Sequence, residues 1–432
     1  HNAGIRMRGS GWIRPRFSDP FDWIASYIVK VDKADRVLGS TSLNLDNLKQ
    51  QDVWGRGVLD PTYLRERMSF WIGEQLGVET CYQRFVLLDL NGVRKGVVFT
   101  DTQHPNQDYL RCWFPNDDNG HSFEVDSWFE YDNGSPGYKG NATLERFTTT
   151  GGVLKQARYR WNWEKKVAHA ADDDYAPFLE LVEVMNSSSD YYTKVDALVD
   201  WDQWMRGFAV RRGAAADRDG YGYEAGKNAF VYKGEGTRWK YLLWDLDLGF
   251  GIERGYNHGL FAEIGDPVLR DRFFQEPAFR RAYWRALQDL VDGPMAPDRF
   301  DPIADAYSHA FRDNGIVTDD ATAVKEWVRD RRGYILSQLD SVGVEFSVTT
   351  HNGSPFSSAA SPCTVQGTAP VKVDAILVNG SEVPVAWTDV TTWSIDVDLA
   401  PGQNTLVFEG YDSSSKVLPG MQDSIRVTYT GP

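Results

Sequence analysis

The stretch from Trp239 to Gly251 constrains this sequence most, because an apolar, aromatic segment runs directly into two carboxylates and two glycines. Residues 239–244 have the composition of a buried β-strand, and Asp245 and Asp247 follow at once. Two carboxylates so close in sequence repel each other unless a cation lies between them. Mg2+ and Ca2+ prefer such oxygen ligands. We therefore predict that a metal ion binds where this buried strand ends.

The segment before this strand supplies further polar groups. Residues 217–228 are rich in Asp, Gly and Tyr, and residues 229–244 have the pattern of two strands joined by a polar turn. A β-hairpin brings its two ends together. We therefore expect Asn228, at the start of the hairpin, to lie beside Asp245 at its end.

This order of residues matches what phosphoryl transfer requires. A loop carboxylate accepts the proton of the attacking hydroxyl, and Asn and Asp ligands hold the metal that neutralises the phosphates. Asp219 is the candidate for the first role, with Asp217 as its competitor, although an Asp before Gly220 is by itself more often a turn-former. Asn228 and Asp245 are candidates for the second role, with Asp247 as a further ligand or as support for the glycine turn.

Four positions keep two interpretations each. Lys30 lies inside the strand predicted at 27–31, where a lysine is usually on an exposed face, and a phosphate contact is the alternative. Trp244 is a core residue or an adenine-stacking residue. Asp245 and Asp247 are catalytic metal ligands or ligands of a structural Ca2+. His104, His121 and His169 show no ligand spacing, and we expect them to be ordinary surface residues.

Hydrophobic periodicity predicts an α+β protein of two parts. Residues 1–342 contain predicted strands, a hairpin around Asn91-Gly92, and an irregular insertion over 103–170 with short strands, including strand-like fragments around Arg158–Trp163. Helices are predicted at 61–76, 176–186 and 196–212, with a helical lobe over 267–341. Residues 343–432 are rich in Thr, Val, Ser and Gly, with short strands separated by turns, which is typical of a small immunoglobulin-like β-sandwich.

Composition excludes some classes of function. The formal net charge is −15 and the pI about 5.0, so a nucleic-acid footprint, which needs a basic face, is not expected. No apolar run reaches the roughly 18 residues of a membrane span. The chain begins at His1 without a visible signal peptide. Of its 3 cysteines, Cys81 and Cys112 are the one pair for which we considered a disulfide.

The motifs together resemble the CotH kinase family, named after a spore-coat protein and similar to atypical secretory protein kinases. The resemblance covers roughly residues 1–342, and its most specific piece is Leu243-Trp-Asp-Leu-Asp247-x-x-Phe-Gly251. The other matching pieces are Arg8-Gly9-Ser10, Tyr27-x-x-Lys30, the helix ending in Leu76-Gly77, Leu90-Asn91-Gly92-x-x-x-Gly96, Asp217-Arg218-Asp219 and Asn228-Ala-Phe-Val-Tyr232.

The resemblance implies an atypical two-lobed kinase fold and transfer of the ATP γ-phosphoryl group to Ser or Thr hydroxyls of a protein, with Mg2+ or Mn2+. By position, it implies Asp219 (or Asp217) as the catalytic carboxylate and Asn228, Asp245 and Asp247 as metal ligands. Nucleotide contacts would come from Lys30, Arg8, Ser10 and Trp244. An extracellular or cell-surface location is also implied.

Two departures from the family pattern motivate an alternative. Thr102, with Asp101 beside it, stands where the family often has a Glu, and the loop Asp217–Gly222 differs from the usual Asn-x-Asp-Arg. The alternative is a kinase-like module that no longer catalyses and serves in surface binding or adhesion. In that case the C-terminal domain, with Trp387 and Trp393 on its strands, would contact carbohydrate or another cell-surface ligand, or act as a spacer.

Overall fold

The computed structural model of the protein describes residues 3–8, 26–47, 59–132 and 135–431. It has an α+β fold in which a two-lobed, kinase-like part is followed by an all-β part. The strands are β1 (Ala3–Arg8), β2 (Ser26–Val31), β3 (Ser42–Asn47), β4 (Gln83–Leu90), β5 (Val93–Thr102), β6 (His121–Val125), β7 (Trp128–Asp132), β8 (Ser135–Gly140), β9 (Trp163–Lys166), β10 (Ala229–Lys233), β11 (Lys240–Leu243), β12 (Ser347–Val348), β13 (Phe356–Ser358), β14 (Cys363–Thr368), β15 (Ala375–Val378), β16 (Ser381–Glu382), β17 (Ala386–Trp387), β18 (Thr392–Val397), β19 (Gly402–Tyr411) and β20 (Val417–Tyr429).

The helices lie mainly in the middle of the chain. They are α1 (Arg65–Gln75), α2 (Gln107–Trp113), α3 (Gln156–Arg160), α4 (Ala176–Met185), α5 (Tyr191–Leu198), α6 (Trp201–Phe208), α7 (Pro267–Asp271), α8 (Pro277–Asp292), α9 (Pro297–Asp313) and α10 (Thr322–Ser341). A π-helical stretch, Ala209–Ala215, continues directly from α6.

The N-terminal lobe is an antiparallel sheet in the order β1-β2-β3-β5-β4, with α1 inserted before β4. The predicted hairpin around Asn91-Gly92 is confirmed, and both turn residues have positive φ (52° and 79°), as a tight two-residue turn requires. The predicted start of the first helix at Pro61 is wrong, because Pro61 lies in a turn and α1 begins at Arg65. Gly77 ends this helix in the left-handed conformation, as expected.

The C-terminal lobe contains a second antiparallel sheet in the order β11-β10-β6-β9. Two of its strands, β6 and β9, come from the stretch at 103–170, so the short strands predicted within that insertion are confirmed. The strand-like fragment predicted around Arg158–Trp163 is misplaced, because α3 occupies Gln156–Arg160 and β9 begins only at Trp163. Phe123 on β6 and Trp163 on β9 are fully buried in the large core of this lobe. The polar residues around these short strands hid their alternation in the sequence.

The helix predicted over 196–212 is divided into three pieces. Val199 has extended backbone between α5 and α6, and Asp200 caps α6 by accepting a hydrogen bond from the Gln203 N–H. The chain then passes into the π-helical stretch, which contains Arg211 and Arg212. Such wide turns in a helix occur frequently at functional sites.

The C-terminal part is a β-sandwich of two sheets, in the orders β12-β14-β18-β17 and β13-β20-β19-β15-β16. Along β18 every second residue faces the core, and its Trp393 packs against Phe408 of β19 with ring centroids 5.1 Å apart. This alternation is what a strand with one buried face requires. The sandwich has its own hydrophobic core, as an immunoglobulin-like fold would.

Arg281 on α8 joins the sandwich to the C-terminal lobe. Its buried guanidinium donates hydrogen bonds to the backbone oxygens of Pro370 and Val373 (2.6 Å each) and also to those of Ala369 and Val390. The guanidinium carbon lies 3.5 Å from the ring centroid of Trp387. One face of Trp387 is therefore covered by Arg281, and Trp393 is fully buried.

Two further expectations from the sequence concern cysteines and membrane spans. All three cysteines are free, so the disulfide considered between Cys81 and Cys112 is not formed; Cys81 is buried and Cys112 is exposed on α2. Across the described ranges, no helix combines the length and apolarity needed to cross a membrane.

Candidate active site

The site is built at the open end of the β10–β11 hairpin. Ala229 pairs with Leu243, so Asn228 and Trp244 are the next facing residues and Asp245 follows immediately. Asn228 and Asp245 both have positive φ, 56° and 55°. A non-glycine residue in the left-handed region is strained and is held there by its surroundings. The predicted proximity of Asn228 and Asp245 therefore has its basis in the hairpin register.

Arg211 fixes both ends of this hairpin. Its Nη2 donates to the backbone oxygens of Asn228 (2.7 Å) and Trp244 (2.6 Å). Its Nη1 lies 3.2 Å from the carboxylate of Asp217, and its Nε donates to the Tyr241 hydroxyl at 3.1 Å. The side chain is fully buried. Sequence reasoning missed this residue, although two adjacent arginines at the end of an apolar helix were the available signal.

The structure separates the two loop carboxylates that compete for the catalytic role. Asp217 is fully buried, and it pairs with Arg211 and accepts a hydrogen bond from the Asp219 N–H (2.9 Å). Asp219 has 27% of its side chain exposed and pairs with Lys227 at 2.8 Å. The Nδ2 of Asn228 donates to the backbone oxygen of Asp219 (2.8 Å) and to its carboxylate (3.3 Å). Asp219 is therefore the carboxylate that solvent can reach.

The carboxylates of the site perturb one another. Burial, followed by repulsion from Asp219 and Asp245, raises the pKa of Asp217 to about 7, against the opposing effect of Arg211. Asp247 is exposed to solvent. Even so, desolvation by the surrounding protein, followed by repulsion from Asp245 and Glu66, raises the pKa of Asp247 well above its usual value. Repulsion of this kind between carboxylates is relieved when a cation binds between them.

Glu66 on α1 is a fifth carboxylate at the site, and sequence reasoning missed it. Desolvation, followed by repulsion from Asp245, raises its pKa to about 8, while Arg8, Gln83 and the backbone N–H of Leu246 oppose the increase. The Nε2 of Gln83 donates to Glu66 and also, at 2.9 Å, to the hydroxyl of Thr102. Thr102, which stands where the family often has a Glu, is thus linked through Gln83 to the carboxylate of Glu66 on α1. No pattern in the sequence of α1 distinguishes Glu66 from a solvent-exposed charge.

The proposed nucleotide-contacting residues of the N-terminal lobe are placed as follows. Lys30 is exposed on β2, where it faces Gly4 of β1 and Ser42 of β3. Arg8 at the end of β1 forms an ion pair with Asp46. Ser10 lies outside the described residues. The positive charges of Arg8 and Lys30 both contribute to lowering the pKa of His104, after burial and Lys166.

His104 and Trp244 form an aromatic contact in the stretch that joins the lobes. The rings lie 5.1 Å apart, and His104 also packs against Phe230 at 5.3 Å. Burial, then repulsion from Lys166, lowers the pKa of His104 to about 3. The expectation that His104 is an ordinary surface residue is wrong. Trp244 is 6% exposed and packs into the core, with its edge towards His104.

The donor set suits a metal–nucleotide complex better than an all-protein metal cage. Within the described ranges, no three His, Cys, Asp or Glu side chains form a ready-made group for a metal ion. Mg2+ is usually bound by one or two carboxylates together with substrate phosphates. Asp245 supplies such a carboxylate, and Asn228, whose hydrogen bonds to Asp219 are donated by Nδ2, retains its carbonyl oxygen.

A comparison with family models matches residues 5–334 to the CotH kinase protein family. The chain belongs to this family. The match covers both lobes, β1 through α10, and excludes the sandwich. It agrees with the resemblance in the sequence motifs, and a CotH kinase-like protein is expected in general to use ATP, a divalent metal and a protein substrate.

The remaining comparisons add little to this CotH kinase family assignment. No curated protein matches the chain. Among solved structures, the fibronectin(III)-like modules of CbhA from Clostridium thermocellum align with 15% identity over 20% of this chain and 96% of the module, with a TM-score of 0.16. We draw nothing from so slight a superposition.

Proposed function

We propose that this protein is an active phosphotransferase that moves the γ-phosphoryl group of ATP to Ser or Thr hydroxyls of a protein. The observation that carries the proposal is the joint placement of Asp219, Asn228 and Asp245 at one end of a hairpin. Asn228 is bonded to Asp219, and Arg211 holds the backbone at both hairpin ends. Asn228 and Asp219 are in direct contact, and Asp245 directly follows Trp244, whose backbone oxygen Arg211 also binds.

Each residue then has a distinct task. Asp219 accepts the proton of the acceptor hydroxyl. Burial raises the pKa of Asp219, which suits a proton acceptor, and the ammonium of Lys227 opposes this increase and so favours the ionised form. Asn228 and Asp245, with Asp247 beside them, would hold the divalent cation. When bound, that cation neutralises the phosphate oxygens. Arg8 and Lys30 contribute positive charge on the opposite side of the cleft.

A transfer assay with matched variants tests the proposal. The protein is incubated with radiolabelled ATP, Mg2+ or Mn2+ and a hydroxyl-rich protein acceptor, beside the variants Asp219→Asn and Asp245→Asn. The control is Asp271→Asn, an exposed carboxylate paired with its neighbour Arg270. We expect Asp219→Asn to lose about 100-fold or more of the rate, as for removal of a general base, while the control keeps it.

Nucleotide binding is measured separately. ATP with Mg2+ raises the unfolding temperature of a protein that binds it in the native state only. We expect this increase for the wild type and Asp219→Asn and its loss for Asp245→Asn. Incorporation that is equal in the wild type and Asp219→Asn would refute the catalytic assignment. Stabilisation without any transfer would instead favour the alternative of a kinase-like binding module.

A further inference from the structure

The connection between β11 and α7 is unusually long for a stretch without regular structure. Residues 244–266 connect β11 to α7 and form neither helix nor strand, although all of them are described. Connections of this length in compact domains are uncommon and are usually functional. The segment borders the loop of Asp219, because the N–H of Gly265 donates to the backbone oxygen of Tyr223 at 2.7 Å.

Arg212, which is buried, binds the backbone of the second half of this segment. Its Nη2 donates to the backbone oxygens of Ala262 (2.6 Å) and Leu260 (3.2 Å). Its Nη1 donates to the backbone oxygen of Gly222 in the catalytic loop at 3.0 Å. One buried guanidinium thus fixes the segment and the catalytic loop in a constant relation to each other. A buried charge is tolerated only when its donors are satisfied in this way.

Arg331 on α10 holds the middle of the segment. Its Nη1 donates to the backbone oxygens of Tyr256 (2.7 Å) and His258 (2.6 Å). Its Nε and Nη2 donate to the backbone oxygens of Gly213 and Arg212 in the π-helical stretch, at 2.7 and 2.8 Å. The side chain of Arg331 is fully buried. The positions of the segment, α10 and the π-helix are therefore determined together.

A network of ion pairs holds the outer side of the segment to the catalytic loop. Arg218 pairs with Glu253 and Glu224 (3.1 Å each), and Arg254 pairs with Glu224 and Glu263 (2.6 Å each). Arg218 is adjacent to Asp219 in the chain. Carboxylate–guanidinium pairs of this kind are charge-assisted and orient both partners.

The segment contains almost no side-chain hydroxyl that could be phosphorylated. Residues 244–266 contain no Ser and no Thr, and Tyr256 carries the one side-chain hydroxyl among them. Phosphorylation orders a flexible segment by adding an anion that pairs with arginines. Here Glu224, Glu253 and Glu263 already supply the anions for Arg218 and Arg254.

We propose that residues 252–263 form the acceptor-binding surface of this site and that Arg212 and Arg331 hold it permanently in its working position, so that no phosphorylation of the segment is required. The proposal rests on the proposed function. An acceptor hydroxyl directed at Asp219 brings the polypeptide on either side of it over this surface. Tyr256, whose side chain is 45% exposed, offers that polypeptide an aromatic contact.

The first test measures order in the unmodified protein. Backbone hydrogen exchange of residues 252–263 is followed by mass spectrometry before and after treatment with a broad-specificity protein phosphatase. We expect slow exchange in both samples, and an unchanged transfer rate after the treatment. Fast exchange in the phosphate-free protein, or a transfer rate that falls tenfold on treatment, would overturn the proposal. If the wild type transfers no phosphate at all, the proposed function fails, while the exchange data still decide whether the segment is permanently ordered.

The second test compares Arg254→Ala and Arg331→Gln with the control Arg270→Ala, whose arginine pairs on the surface with Asp271. We expect both variants to speed exchange of the segment and to raise the KM for the protein acceptor about fivefold or more. The KM for ATP and the stabilisation by ATP with Mg2+ should stay unchanged. Arg254 is partly exposed, with 20% of its side chain accessible, whereas Arg331 is fully buried, so the Arg254 variant remains informative if Arg331→Gln does not fold. An acceptor KM equal to that of the control, despite faster exchange, would contradict the proposal.

Discussion

Replacing Arg211 by Met should both destabilise the protein and disorganise its site. The change removes the donors to the backbone oxygens of Asn228 and Trp244 and to the Tyr241 hydroxyl, and it leaves the carboxylate of Asp217 buried and unpaired. Breaking one partner of a buried ion pair costs about 3–5 kcal/mol. Each orphaned buried carbonyl adds on the order of 1 kcal/mol.

The expected loss in the free energy of unfolding can be checked with a second substitution. Because the pKa of Asp217 is already raised to about 7, its carboxylate can take up a proton in the variant, so we expect the ion-pair part near its lower end, about 3 kcal/mol. With the two orphaned carbonyls the total loss is about 5 kcal/mol. A second change, Asp217→Asn, removes the charge that Arg211 neutralised. The double variant should therefore recover about 1–3 kcal/mol relative to the sum of the single variants.

Denaturant unfolding of the four proteins in the cycle measures both quantities, and differential scanning calorimetry checks whether the transition stays cooperative. Arg270→Met serves as the control, because Arg270 lies on the surface and pairs with its neighbour Asp271; it should unfold like the wild type. The Arg211→Met variant should also lose its stabilisation by ATP with Mg2+, since the backbone at Asn228 and Asp245 is released. An unfolding free energy within about 1 kcal/mol of the wild type, or strict additivity in the cycle, would refute this account of Arg211.

Three further predictions concern single side chains. The pKa of Glu66 is raised to about 8, so the folded state retains a proton that the unfolded chain has lost, and the free energy of unfolding falls as pH increases from roughly 4.5 to 8. The Glu66→Gln variant should flatten that part of the profile of unfolding temperature against pH. An identical slope in the wild type and the variant would contradict the assignment. Arg281→Met should uncouple the sandwich from the C-terminal lobe and turn one calorimetric transition into two, whereas a single unchanged transition would show that Arg281 does not join them. His104, with its pKa lowered to about 3, should show no imidazole titration by NMR between pH 5 and 8, unlike an exposed histidine.

The sequence alone determined the parts of the protein that depend on local chemistry. The Asn91-Gly92 turn, the glycine end of α1 and the hairpin at 229–244 follow from residues next to one another, because turn and strand preferences are set by neighbouring side chains. The candidates Asn228 and Asp245 came from the two ends of that hairpin, since a hairpin converts nearness in sequence into nearness in space, and Asp219 came from the loop that precedes it.

Only the tertiary structure decided the rest, because the remaining contacts join residues far apart in the chain. Asp217 and Asp219 look alike in sequence, and the pairing of Asp217 with Arg211 distinguishes them. Glu66 becomes part of the site through Gln83, which lies on another element. Strand β6 joins the sheet of the C-terminal lobe by pairing with β10, and β9 joins it by pairing with β6, although their own sequences do not show these partners. Burial and long-range pairing are properties of the folded chain, and they set the charges, contacts and pKa values of this site.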